Sequence, residues 1–142
     1  MKLPLAIAII LLAVAPLSKG DPAEARAQLL GLPRADVARL IGSWEVEEMK
    51  PITMIYEFQA ATMAMHGKND AGGSTFELTM DADYRTAGAN AVWVIGTKPR
   101  PIPEDSAIDA GNPSIMGIEF TADDRATLTV SAQESFTLVR VH

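Results

Sequence analysis

Two histidines and no cysteine bound the side-chain chemistry open to this 142-residue chain. His66 stands in MAMHG, residues 63–67, where thioether and imidazole together would suit a soft metal such as copper. Strand alternation sends Met63 and Met65 to the face opposite His66, so the three do not converge. His142 is the last residue of the sequence and is expected to fray. Asp81 and Asp83 share a strand face with Glu77 and Arg85, and two carboxylates could serve acid–base work or bind calcium. No calcium loop surrounds them, and a solvated acidic stripe accounts for the pattern. The sequence has no Ser-His-Asp pattern, phosphate loop or zinc-ligand spacing. A hydrolase would need His66 as its base, without a partner legible in the sequence. The residues predict a chain that is not an enzyme and that has no catalytic residue, metal site or cofactor.

The bulk properties narrow the partners. Hydrophobic residues make up 48%, enough for one globular domain with a real core. The net charge of −6 argues against nucleic acid, whose phosphates require a basic face, and against anionic lipid surfaces. Residues 1–20, MKLPLAIAIILLAVAPLSKG, carry Lys2, an apolar run from Leu3 to Ala15 and then small residues, the pattern of a secretory signal peptide. The run is short for a membrane span. Pro16 would sit just after a cut at Ala15, so cleavage is expected after Gly20. The mature chain then keeps ten basic against eighteen acidic side chains, a balance of −8. Without cysteine it can form no disulfide or lipoprotein anchor and is held by packing alone. A periplasmic or secreted protein is expected, not membrane-spanning once processed.

The elements that would position any site are strands. A helical lead-in is expected over 21–35. Asp21, Pro22, Glu24 and Gly31 punctuate a first helix, and Val37, Leu40 and Ile41 at helical spacing predict a second short one. From Ser43 the period changes to two. Strands are expected at 43–49, 52–58, 62–66, 74–86, 91–96, 114–120, 126–131 and 135–141. The clearest sets Phe76, Leu78, Met80, Ala82 and Tyr84 against Thr75, Glu77, Thr79, Asp81, Asp83 and Arg85. Residues 67–73 and 97–113, the latter with four prolines, read as loops. One-sided strands joined mostly by short turns imply an antiparallel sheet. The expected fold is therefore all-β: an eight-stranded antiparallel up-and-down barrel over 36–142, with a two-sheet sandwich as the alternative.

Gly42-Ser43-Trp44 after a short helix, eight meander strands and Arg140 near the end of the last strand resemble the lipocalin-like (calycin) barrels, especially small exported bacterial domains of that kind. The resemblance implies that Trp44 closes one end of the barrel and that Arg140 packs across it. Strand direction is compatible. The first strand starts and the eighth ends at the same floor, and both residues fall on the inward parity, so a cation–π contact is allowed. Many ligand-carrying lipocalins have a large lid between the first two strands, whereas this chain has little more than Lys50-Pro51 there.

At the opposite end, the inward residues near the mouth would be Met54, Met65, Phe76, Leu78, Met116, Val130 and Phe136. The floor would hold Trp44, Phe58, Met63, Tyr84, Phe120, Leu128 and Arg140. Barrel mouths and their loops collect binding sites, and methionine suits an adaptable apolar surface. The expected function is binding of a small hydrophobic molecule or lipid at the mouth. The alternative is a filled barrel acting as a protein-interaction module, such as a periplasmic inhibitor or envelope accessory, through loop 97–113. An eight-stranded barrel is just wide enough for either.

Overall fold

The computed structural model describes residues 22–100, 113–131 and 134–142. The expected leader and most of the expected 97–113 loop lie outside these residues. Eight strands follow one short helix, α1 (Pro22–Leu29): β1 (Gly42–Val46), β2 (Ile52–Phe58), β3 (Thr62–Asn69), β4 (Thr75–Gly88), β5 (Ala91–Arg100), β6 (Ser114–Ala122), β7 (Arg125–Ser131) and β8 (Glu134–Arg140). Each strand pairs antiparallel with the next, and β1 pairs with β8, closing the barrel. Closure rules out the sandwich and leaves no sheet edge unpaired. This is the architecture implied by the lipocalin-like resemblance.

The register carries the inward face from strand to strand. Trp44 is opposite Tyr56, Tyr56 opposite Met65, and Met65 opposite Leu78. On the other side Val94 is opposite Met116, Ile118 opposite Leu128, Leu128 opposite Phe136, and Trp44 opposite Arg140. These inward residues form one core, with Trp44, Phe58, Met63, Leu78, Met80, Val94, Ile118, Leu128 and Leu138 all buried. The opposite face of the wall carries Glu45, Glu57, His66, Glu77, Asp81 and Asp83.

Two loop-like stretches extend strands. Residues 67–69, rich in turn-forming types, continue β3 because Ile52 pairs with Asn69 and Met54 with Gly67. Gly67 faces inward, and a Cβ there would lie 3.3 Å from Met54 Cε and 3.7 Å from Phe76, so the missing side chain leaves room for both. β5 runs on to Arg100 through a bulge. Thr79 pairs with Arg100 and Asp81 with Thr97, leaving one extra residue on β5, and Lys98 takes φ +55°.

The expected second helix does not form. Ala35 N donates to the Tyr84 carbonyl and Thr86 N to the Pro33 carbonyl, so residues 33–35 are tied to the end of β4. Only one turn remains, closed by Leu40 N and Ile41 N onto the Val37 carbonyl and started by Asp36, whose carboxylate accepts from Ala38 N at 3.0 Å. The segment is a strap that delivers Leu40, fully buried, under the barrel. α1 lies outside the wall, where Leu29 packs with Ala91, Trp93 and Ile95 of β5. Arg85 fixes it there by donating to the carbonyls of Leu30 and Leu32, both at 3.0 Å.

Candidate functional site

One end of the barrel is sealed. The Arg140 guanidinium lies 4.3 Å above the Trp44 ring. It donates to the Ile41 carbonyl at 3.0 Å and to the Arg39 carbonyl, and Asp124 stands 3.5 Å away. Trp44 Nε1 donates to the Leu40 carbonyl at 2.9 Å, so the buried indole keeps a partner. Arg39 forms a second lid 4.5 Å from the Phe120 centroid and donates to Asn90 at 3.0 Å. The glycine before the tryptophan is required twice over. Gly42 takes φ +127°, and a Cβ there would lie 2.9 Å from the Arg140 guanidinium. Tyr84 completes the floor by donating to the Gln59 carbonyl at 2.7 Å, with the Thr62 carbonyl at 3.1 Å. Burial pushes its pKa up to about 12, against the lowering effect of that Gln59 bond.

Packing is tight halfway up. A Cβ on Gly96 would come within 3.0 Å of the Met80 sulfur and 3.4 Å of the Met63 sulfur, so two methionines fill the space a side chain would take. Leu78 and Met116, expected at the mouth, are 1% and 4% exposed and belong to this packed layer. They support the mouth from beneath instead of lining it.

The seven mouth residues thus divide. Met54, Met65, Val130 and Phe136 are half-buried and pack on top of the sealed core, and Phe76 is 38% exposed. Met49, in a single 3-10 turn between β1 and β2, adds to the rim. Cavities among the described residues lie on the outer wall and beneath the floor. One of about 300 Å³ runs along Glu45, Glu47 and Arg140, and one of about 350 Å³ along Arg34, Ala61 and Asp83. The apolar residues of the mouth therefore sit on a packed core.

The other candidates resolve into surface ion pairs. His66 Nδ1 is 2.9 Å from Glu77 and Nε2 is 3.5 Å from Glu57 on the outer wall. Asp81 meets Arg100 at 3.0 Å, and Asp83 meets Arg85 at 2.8 Å. The hydrogen bond from Arg85 holds the Asp83 carboxyl below its usual range. Among the described residues no group of three His, Asp or Glu is placed to hold a metal ion, and no helix is long and apolar enough to cross a membrane.

Two residues of the site escaped the sequence reading. Arg39 lies in the stretch read as a helix, and its lid position depends on the strap. Tyr56 alternates correctly in β2, but its inward ring, stacked on Phe58 at 6.0 Å and 7°, is visible only in three dimensions. Comparison with protein-family models, curated proteins and solved structures finds no match.

Proposed function

We propose that this chain is an exported, non-catalytic binding protein of the lipocalin-like kind, and that it holds a small apolar molecule, or the end of a longer one, in the barrel mouth. The observation that carries this reading is the step in exposure among inward residues. The core below is sealed, while the inward-facing Phe76, Met54, Met65 and Phe136 keep apolar surface open at the end opposite Trp44. Apolar surface gathered in a concave rim is the usual mark of a binding site. The leader-like residues 1–20 and the acidic balance support a periplasmic or secreted location without nucleic-acid or anionic-membrane partners. The polar outer wall supports a barrel that faces water.

Mass spectrometry of organic extracts from natively purified protein tests the reading, together with titration of the fluorescent apolar probe N-phenyl-1-naphthylamine. Co-purified apolar molecules and saturable probe binding are expected. Phe76→Asp should weaken the probe at least tenfold while leaving the fold intact, because it puts a charge in the rim at a site that is 38% exposed. Bare protein that binds no probe would sink the reading. It would favour the second one, a filled barrel acting on a protein partner through residues 97–113, for which the methionine-packed centre around Gly96 speaks.

A further inference from the structure

The cavity of about 350 Å³ beneath the floor has no part in the mouth, and its volume falls at the lower end of the roughly 300–1,000 Å³ of small-molecule sites. Its walls are held by hydrogen bonds to the main chain. On one side the strap is tied to β4, by Ala35 N onto the Tyr84 carbonyl at 3.1 Å and by Thr86 N onto the Pro33 carbonyl at 2.9 Å. On the other side the turn between β2 and β3 is tied to β4, by Ala82 N onto the Ala61 carbonyl at 2.9 Å and by the Tyr84 hydroxyl onto the Gln59 carbonyl at 2.7 Å. Ala35, Val37, Ala61, Ala82 and Tyr84 line the space with small or apolar side chains. Two charged residues, Arg34 and Asp83, border it. Asp83 is committed to Arg85, which reaches its two carboxylate oxygens at 2.8 and 3.2 Å and spends its remaining nitrogen on the Leu30 and Leu32 carbonyls. Arg34 is fixed at the main chain, opposite Arg85 in an isolated bridge, while its guanidinium has no ion pair or hydrogen bond among the described residues. The surroundings are positive, against the acidic balance of the chain. The hydrogen bond from Arg85, and after it the charges of Arg85, Arg34 and Arg26, hold the Asp83 carboxyl below its usual range despite desolvation.

We infer that this cavity is a second binding site, independent of the mouth, and that it takes a monocarboxylate with a compact apolar body, such as an aromatic or branched short-chain acid. The carboxylate pairs with Arg34, whose planar fork matches two carboxylate oxygens at once. The apolar body lies against the alanines and Val37, where it leaves water. One negative charge suits the site and two do not. A single uncommitted guanidinium borders the cavity, and the Asp83 carboxylate beside it would repel a second anionic group. Because the strap and the turn are already bonded to β4, the walls need no reordering to receive the ligand.

The test is heteronuclear NMR of the isotope-labelled full mature chain titrated with benzoate, methyl benzoate and inorganic phosphate. Benzoate should give saturable shifts of the amides of Arg34, Ala35, Ala61 and Ala82. Methyl benzoate, which keeps the ring and loses the charge, should bind about tenfold more weakly. Phosphate, which has the charge and no apolar body, should also bind more weakly than benzoate. Arg34→Gln should lose about tenfold in benzoate affinity, with Arg34→Lys in between, because lysine keeps the charge without the fork. Neither change breaks a hydrogen bond of the protein, so both variants should melt with the parent. Ala61→Phe, which fills the cavity from an exposed turn and leaves Arg34 in place, should block benzoate. Phe76→Asp at the mouth should leave benzoate binding unchanged, so failure of the mouth reading and failure of this one are told apart. Equal binding of methyl benzoate or of phosphate, an unchanged affinity in Arg34→Gln, or shifts confined to Met54, Met65 and Phe136 would overturn the inference.

Discussion

Replacing Gly42 with alanine should show how the floor is locked. The position carries φ +127°, a conformation that costs an L-residue about 1–3 kcal/mol. The new Cβ would also stand 2.9 Å from the Arg140 guanidinium and push it off its site. That group gives up part of its contact with the Trp44 face and its bonds to the Ile41 and Arg39 carbonyls. Cation–π contacts contribute about 0.5–2 kcal/mol and hydrogen bonds from charged groups about 1.5–3 kcal/mol. With partial retention, Gly42→Ala should cost about 3–5 kcal/mol. In an Arg140→Met background the clash is gone and only the backbone part remains, about 1–3 kcal/mol. Urea unfolding followed by circular dichroism, run as a double-mutant cycle, should therefore give a coupling of about 1–2 kcal/mol. Additivity within about 0.5 kcal/mol would refute the claim that the glycine makes room for the guanidinium.

Trp44→Ala should cost about 3–5 kcal/mol in the same urea assay, as for other buried aromatics, and a loss below about 1 kcal/mol would remove Trp44 from the floor. Tyr84→Phe should cost about 1–2 kcal/mol because it removes the hydroxyl that donates to the Gln59 carbonyl and leaves that carbonyl without it. Asp83 titrates lower when folded than when unfolded, chiefly through its hydrogen bond from Arg85, so its stabilising share is present above the unfolded carboxylate pKa of about 4 and is lost as pH falls through the folded value. The urea midpoints of the parent and Asp83→Asn should differ at pH 7 and converge on acidification, and a gap that widens toward low pH would contradict that sign.

The alternation of apolar and polar residues from Ser43 onward specifies one buried face per strand, because a side-chain period of two is a local property of extended backbone. Strand order and direction follow from the short turns, and they place Trp44 and Arg140 at one end, both on the inward parity. Three other matters depend on what lies across the chain. The helical spacing of Val37, Leu40 and Ile41 is real, but the main chain of 33–35 finds partners on β4, and those bonds override the helix. The turn-like 67–69 are drawn into a strand by pairing with β2 and β4, and the proline-bearing 97–100 by pairing with β4 through a bulge. Depth is the most consequential. Leu78 and Phe76 share parity and type, yet one is sealed and the other open, because the level at which each sits is set by the stagger of all eight strands around the closed barrel. The same stagger brings the Tyr84 hydroxyl to the Gln59 carbonyl. Parity is encoded residue by residue along the chain; depth and hydrogen-bond partnership exist only once the barrel has closed.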